Sequence, residues 1–298
     1  MTSQTTRHIF LIEPIEFYSN PETIDTNVYQ FEEDNTPRDA IFAKALVEFR
    51  AFQNMLIENG VYVTTAKGHL GCPDMIFPNW FSTHADGQLI LYPMYNKNRA
   101  DERVPHLVDL LKRMYPKVKD YSQYEAKKQP LEATASLGLD HVNKIAYCAL
   151  SPRTTKSLAE IWAADMGFEL ITFDTVSHTG KAVYHTDLII NIGEEMAMVC
   201  SPCIVEKDRA RVVDSLRKYR TVIEIDMDQL KNFLGNSLSV KGENDDPLFV
   251  MSTAAYKSLS EDQLKTIQKH YKKILHTAIP TIEHYGGGSA RCMMAQLF

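Results

Sequence analysis

At 298 residues the chain can bury a large core, and the usual span of about 150 residues per domain sets a first expectation of two domains. With 44% apolar and 23% charged residues it has the balance of a folded globular protein, which excludes a disordered chain. Thirty-two Lys and Arg against 38 Asp and Glu leave a formal charge of −6, so no positive field gathers phosphates and nucleic acid is excluded as a generic partner. No apolar run approaches the roughly 18 residues a membrane helix needs, so no membrane partner is expected. The run Ile9–Ile12 before Glu13 and Pro14 is too short for a signal-peptide core. Five cysteines, an odd number widely spread, fit free thiols in a reducing cytoplasm better than a disulfide framework.

The first clear element is a long helix over 36–59. Thr36 is placed to cap it, Pro37 suits its first turn and Gly60 stops it. Ile41, Phe42, Ala45, Leu46, Phe49, Phe52, Met55 and Leu56 recur at helical spacing and form its buried stripe. A strand-like run follows at Val61–Thr64, then a helical pattern over 104–115. Ile145–Cys148 reads as a strand, 153–166 as a helix, and Leu170–Phe173 as a strand again. The paired short runs at 188–191 and 196–199 read as a hairpin, which argues against a simple parallel doubly wound sheet. A helix over 206–219, strands at 222–225 and 249–251, and a helix over 260–275 complete the series.

Four segments hold unusual chemistry. Gly286-Gly-Gly-Ser-Ala-Arg-Cys292 places three glycines, which allow close approach to the main chain, four residues before a thiol whose neighbour Arg291 is a cation able to lower its pKa. A turn into a last strand, with Cys292 as a small buried hydrophobe, fits the same residues. In Tyr184-His185-Thr-Asp187, an extended strand would turn His185 and Asp187 to one face, for proton transfer and for holding a cation, or simply as an edge-strand polar face. Leu131-Glu132-Ala-Thr-Ala-Ser136 sets a carboxylate in an otherwise small, apolar strand. Pro73-Asp74-Met-Ile-Phe77-Pro-Asn79-Trp80 is dense in polar and aromatic groups. Either of these last two is equally readable as an exposed turn.

Taken together and in this order, the four segments resemble the guanidine-modifying superfamily, the penteins: arginine deiminases, dimethylarginine hydrolases and amidinotransferases. The chain is most similar to the arginine-deiminase-related hydrolases of the citrulline ureidase type. Asn20-Pro-Glu-Thr23 with Asn27 and Gln30, Ser151-Pro-Arg153-Thr154, Gly235-Asn236 and Met251-Ser252 also fall in the family's order. The resemblance runs nearly end to end and implies an α+β fold, a five-bladed α/β-propeller of ββαβ modules around a pseudo-fivefold axis. Spacing supports it: 55 residues separate Phe77 from Glu132, 53 separate Glu132 from His185, and 107 separate His185 from Cys292. Half of the last interval lands near Ser237-Leu238, beside Gly235-Asn236. Five modules of 50–60 residues in one closed domain over 1–298 therefore replace the expectation of two domains.

The resemblance also implies a mechanism. Cys292 attacks the guanidinium or ureido carbon and forms a covalent S-linked intermediate; His185 serves as acid and then base; Glu132 orients His185. Asp187, Asn79, Asp74 and Arg153 are the implied substrate-binding residues. No cofactor and no metal are implied, and Cys200-Ser-Pro-Cys203 lacks the second ligand pair of a structural zinc site. The expected partner is a small ureido or guanidino amino acid, with association into a homo-oligomer left open. Asn79 stands where relatives that bind a cationic guanidinium carry a carboxylate, which suits a neutral ureido oxygen, whereas Asp187 suits a cation. The chain departs from the family's Glu-Gly-Thr-Gly at Ala133 and Ala135 and has His141 where relatives carry Arg. Two other readings stay open: an amidinotransferase that passes the amidino group to an amine, and a non-catalytic binding protein on the same fold.

Overall fold

The structure is a computed structural model, and it describes residues 3–31 and 34–298. Its strands form five separate three-stranded sheets, all built to one plan. Each plan starts with an antiparallel pair and ends with a parallel strand reached through a helical crossover, the connection that a parallel pair requires. The second sheet runs β3 (Phe81–His84), β4 (Gln88–Leu91) and β5 (Lys117–Asp120), with α2 (Lys97–Ala100) and α3 (Pro105–Met114) in the crossover. The third joins β6 (Gly138–Asp140), β7 (Ile145–Ala149) and β8 (Glu169–Phe173) through α5 (Lys156–Met166), after the single turn α4 (Ala133–Ser136). The fourth joins β9 (Ile190–Ile192), β10 (Met196–Val199) and β11 (Thr221–Glu224) through α6 (Glu206–Arg217). After α7 (Met227–Lys231), the fifth joins β12 (Leu238–Lys241), β13 (Pro247–Ser252) and β14 (Lys273–Thr277) through α8 (Thr253–Ser258) and α9 (Glu261–His270).

The first sheet completes the circle. Its middle strand β1 (His8–Glu13) pairs in parallel with β2 (Tyr62–Lys67) across α1 (Arg38–Glu58), but its antiparallel partner is β15 (Ala295–Leu297), which follows α10 (Pro280–Gly286). Both ends of the chain thus share one module. The leading strands face inward: β15 lies against β3, β6 against β9 and β9 against β12. This is the five-bladed α+β propeller of the pentein fold.

Each crossover helix buries one stripe against its own sheet. In α1 the buried positions are Ile41, Ala45, Phe49, Phe52 and Leu56, at helical spacing, and each large one stabilises by about 1.5–3 kcal/mol. Phe42, Leu46 and Met55 of the expected stripe lie at its half-buried margin. Thr36 does not cap the helix. Pro37 occupies the N-cap position, where it offers no side-chain acceptor, and the first turn begins at Arg38. The helix expected over 260–275 ends at His270, because the apolar pattern continues through Ile274 and Leu275 in β14, a strand rather than another turn. Among the described residues no helix is long and apolar enough to cross a membrane.

Candidate active site

Cys292, His185, Glu132 and Asp187, spread over 160 residues of chain, meet at one buried centre. Cys292 sits in the loop between α10 and β15. Its Sγ lies 3.2 Å from Asn236 Nδ2 and 3.4 Å from Asp187 Oδ2. Asn236, between α7 and β12, clamps the loop: its Oδ1 accepts from the main-chain N–H of Ser289 and of Cys292, each at 3.2 Å, and its Nδ2 also donates to the Asp187 carbonyl. The glycines make this approach possible, though not for a ligand as the sequence suggested. A Cβ on Gly287, at φ +59°, would meet the Asn27 side chain and the Gln30 nitrogen, and one on Gly286 would strike the Phe77 ring. The chain's own segments press against these residues.

His185 Nε2 is 2.7 Å from Glu132 Oε2, and the second carboxylate oxygen accepts from the Tyr95 main-chain N–H at 3.0 Å. Glu132 is fully buried. Burial alone would raise its pKa, but the His185 bond and the charge of Arg153, 3.9 Å away, bring it down to about 2. His185 Nδ1 has no partner among the described residues, so the imidazole is anchored at one nitrogen and free to act at the other. The expected strand alternation is not what unites His185 and Asp187. His185 is extended, then residues Thr186–Leu188 form a 3-10 turn that swings Asp187 toward Cys292 while His185 faces Glu132. Nor does Glu132 lie in a strand. It caps α4, whose first residue Ala133 is held at φ +45°, a conformation that accounts for glycine in the family's motif.

The Arg291 charge draws the thiol pKa down, as its neighbourhood in sequence suggests, but it is outweighed. Burial, and then the Asp187 carboxylate, push the thiol well above its ordinary range, while the Arg291 guanidinium turns to the Met294 carbonyl at 2.8 Å. Burial likewise raises the Asp187 carboxyl, whose Oδ1 is unpartnered.

Asp74 and Asn79 lie on one tight turn beside the Gly286–Gly288 loop. Arg99, fully buried with Glu102, donates to the carbonyls of both Asp74 and Phe77 and so fixes that turn. Asp74 Oδ2 accepts from Asn20 at 2.7 Å and Thr23 at 3.2 Å, leaving Oδ1 unpartnered, and Asn79 is buried before Trp80. Arg153 stacks on Tyr184 and spends its guanidinium on the 19–31 segment, donating to the Thr23 carbonyl at 3.1 Å and to Thr26 Oγ1 at 2.8 Å. His141 has no place among these groups. It packs against the rings of His84 and Phe298, where burial lowers its pKa to about 3, while Asp140 pairs with Arg220 instead. The residues sequence reasoning did not assign to the site are Asn236 and Arg99. For Asn236 the signal existed, since it falls where the halved 107-residue interval pointed. Among the described residues no cluster of three or more His, Cys, Asp or Glu could hold a metal ion.

Known proteins place the chain. Fifty solved chains match its fold. A serine variant of the N-terminal domain of ArgZ, an arginine dihydrolase from the ornithine–ammonia cycle in cyanobacteria, bound to substrate, superposes at a TM-score of 0.76 with 16% identity and 97% of each chain covered. AgrE in complex with L-arginine gives 0.78 at 14% identity, over 98% of this chain and 40% of that longer one. DDAH from Pseudomonas aeruginosa in complex with citrulline gives 0.70 at 16% identity, over 98% of this chain and all of the other. No curated protein matches at the sequence level. The family model described as N,N dimethylarginine dimethylhydrolase, eukaryotic, matches residues 13–298. The chain belongs to that family of the pentein superfamily, hydrolases acting on the C–N bonds of guanidino amino acids.

Proposed function

We propose that the protein hydrolyses a guanidino amino acid, with Cys292 as nucleophile, His185 as general acid and base, and Glu132 as the group that orients His185. The observation that carries this reading is the convergence of Cys292 Sγ, the Asp187 carboxylate and the Glu132-anchored His185 at one buried centre, with His185 Nδ1 and Asp187 Oδ1 unpartnered. A planar cation fits such a centre. It would share N–H bonds with Asp187 and Asp74, and its positive charge would offset the field that holds the thiol protonated, so substrate binding itself would favour the thiolate. Cys292 then adds to the guanidinium carbon. His185 protonates the departing amine as the C–N bond breaks, then takes a proton from the water that attacks the S-linked carbon and restores the thiol. Asn79 is assigned to the substrate head. Arg153, the expected ligand for a substrate carboxylate, would have to leave Thr23 and Thr26 to reach it.

A neutral ureido substrate, the citrulline ureidase reading, is the second candidate, favoured by the Asn79 amide at a position suited to a carbonyl oxygen. The five modules are taken as one domain over 1–298, acting in a reducing cytoplasm, in keeping with five unpaired cysteines. Product analysis with arginine, Nω,Nω-dimethylarginine, agmatine and citrulline, each with and without an acceptor amine, tests the assignment. Citrulline released from arginine or dimethylarginine supports it. Ornithine and ammonia from citrulline select the ureido reading, amidino transfer to the amine selects a transferase, and no turnover of any of the four selects a binding protein.

A further inference from the structure

The sequence motif left unused by this chemistry is Cys200-Ser-Pro-Cys203. Cys200 occupies the N-cap position and Cys203 the last residue of a single 3-10 turn, Ser201–Cys203, after β10. Across one 3-10 turn, Cα atoms three apart are about 6 Å apart and their side chains eclipse, within the Cα separation a disulfide tolerates. Cys203 Sγ lies 3.1 Å from the Cys200 carbonyl, and Cys200 Sγ lies 3.6 Å from the Asp226 carbonyl. The neighbouring Cys203 thiol favours the thiolate of Cys200, which makes Cys200 the attacking sulfur. Both are buried and unpaired.

Their surroundings lead to the active site by two routes. Tyr29, in the 19–31 segment, is buried in the same core cluster as both cysteines and packs on Tyr184, the neighbour of His185, with ring centres 6.3 Å apart. Asn27, two residues earlier, donates to the Gly286 carbonyl of the nucleophile loop. In the other direction the Cys203 carbonyl accepts from Val176 N–H at 2.8 Å, and Thr175 Oγ1 accepts from Val183 N–H, two residues before His185.

We propose that Cys200 and Cys203 form a reversible disulfide, a thiol modification site beneath Tyr29 whose oxidation state is read at the active site through the 19–31 segment. A hydroperoxide is the oxidant. The Cys200 thiolate attacks the peroxide, the O–O bond breaks and the leaving oxygen departs as water or alcohol, giving a sulfenic acid. The Cys203 sulfur then displaces the hydroxyl, forming the S–S bond and releasing water. Two electrons pass from the two sulfurs to the peroxide, and a dithiol restores the starting state.

The site is tested on the full chain carrying Cys292→Ser, which removes the proposed nucleophile from the reaction. After hydrogen peroxide treatment, unfolding and alkylation, the intact mass should show two fewer alkylated thiols and peptide mapping a Cys200–Cys203 bridge, both reversed by dithiothreitol. Tyr29→Ala should speed bridge formation about tenfold by uncovering the pair. In the chain with Cys292 intact, a brief peroxide pulse followed by a monothiol wash should lower kcat/KM at least threefold in a way that dithiothreitol restores and that Cys203→Ala abolishes. Four alkylated thiols remaining in oxidised Cys292→Ser protein, or a bridge to Cys72 or Cys148, would overturn the site. A Cys200–Cys203 bridge that leaves kcat/KM unchanged would overturn the coupling to the active site. Neither result bears on the identity of the substrate, which the product analysis decides separately.

Discussion

Glu132→Gln isolates the group on which the proposed acid–base step depends. The substitution keeps shape and removes charge from a fully buried carboxylate 2.7 Å from His185 Nε2. Its environment moves the carboxyl from an ordinary 4.5 to about 2 even though burial opposes the shift, so the ionised form is favoured by on the order of 3 kcal/mol, at about 1.4 kcal/mol per unit. Much of that preference is directed at His185 and would be felt most when the imidazole is protonated. Losing it should therefore lower kcat by roughly a hundredfold with little change in KM, since each 1.36 kcal/mol is about a factor of ten. Steady-state kinetics on the best substrate from the product analysis gives the split.

The same group predicts a stability change with a defined sign. The folded pKa of Glu132 lies below its unfolded value, so its contribution is fully present above about pH 4.5 and is lost as the pH falls from there through about 2. Urea unfolding of wild type and Glu132→Gln should differ most near neutrality and converge toward the acid end of that window. A variant with kcat within threefold of wild type would refute the role of Glu132, whatever its stability.

Three further outcomes follow from the geometry. Cys292→Ser should abolish turnover by at least a thousandfold while its urea midpoint stays close to wild type, because the hydroxyl fits the same space; near-normal activity would end the nucleophile assignment. Asp187→Asn removes the charge 3.4 Å from the thiol that helps hold it protonated, so iodoacetamide labelling of Cys292 at pH 7 should accelerate about tenfold and its alkaline onset move to lower pH. An unchanged labelling profile would show that burial alone sets the thiol. Ala133→Gly relieves a left-handed residue, which costs about 1–2 kcal/mol outside glycine, at the price of some chain entropy, and should raise stability by roughly 0.5–1 kcal/mol in urea melts. A loss of stability would mean that the Ala133 methyl packs better than its backbone suffers.

The sequence carried the order of the site more faithfully than its local geometry. Cys292, His185 and Glu132 were readable because each belongs to a motif with a distinct residue pattern, and because modules of near-equal length bring corresponding points of the chain to one axis. The separation of 53 residues between Glu132 and His185 is a direct contact, and the 56 between Asn236 and Cys292 is another. The fourth contributor was therefore implied by spacing, but an asparagine in a loop has no periodicity to mark it. Alternation misplaced Glu132 and His185 in strands, since neither the positive φ of Ala133 nor the turn at Thr186–Leu188 leaves a trace in hydrophobic pattern. Arg291 does act on the thiol in the direction its adjacency suggests, but burial and the Asp187 carboxylate outweigh it, and its guanidinium also donates to the Met294 carbonyl. The helices α1, α3, α5 and α6 and the β9–β10 hairpin were recoverable because their apolar spacing is set by burial against their own sheets.

The segment from Ser19 to Phe31 ties these observations into one requirement. It holds three of the groups that the substrate would use: Asn20 occupies one oxygen of Asp74, Thr23 and Thr26 occupy the Arg153 guanidinium, and Asn27 lies against the glycines of the nucleophile loop. Each such bond contributes about 0.5–1.5 kcal/mol net, more where a charge takes part, so these four bonds together contribute a few kcal/mol. A guanidino amino acid can compensate for that loss, because it offers N–H donors to Asp74 and a carboxylate to Arg153 in exchange for the bonds given up. A ligand with a bare guanidinium such as agmatine can satisfy the first exchange but not the second. Selection for amino acids over simple amines would then arise from the cost of giving up these bonds rather than from a separate recognition pocket.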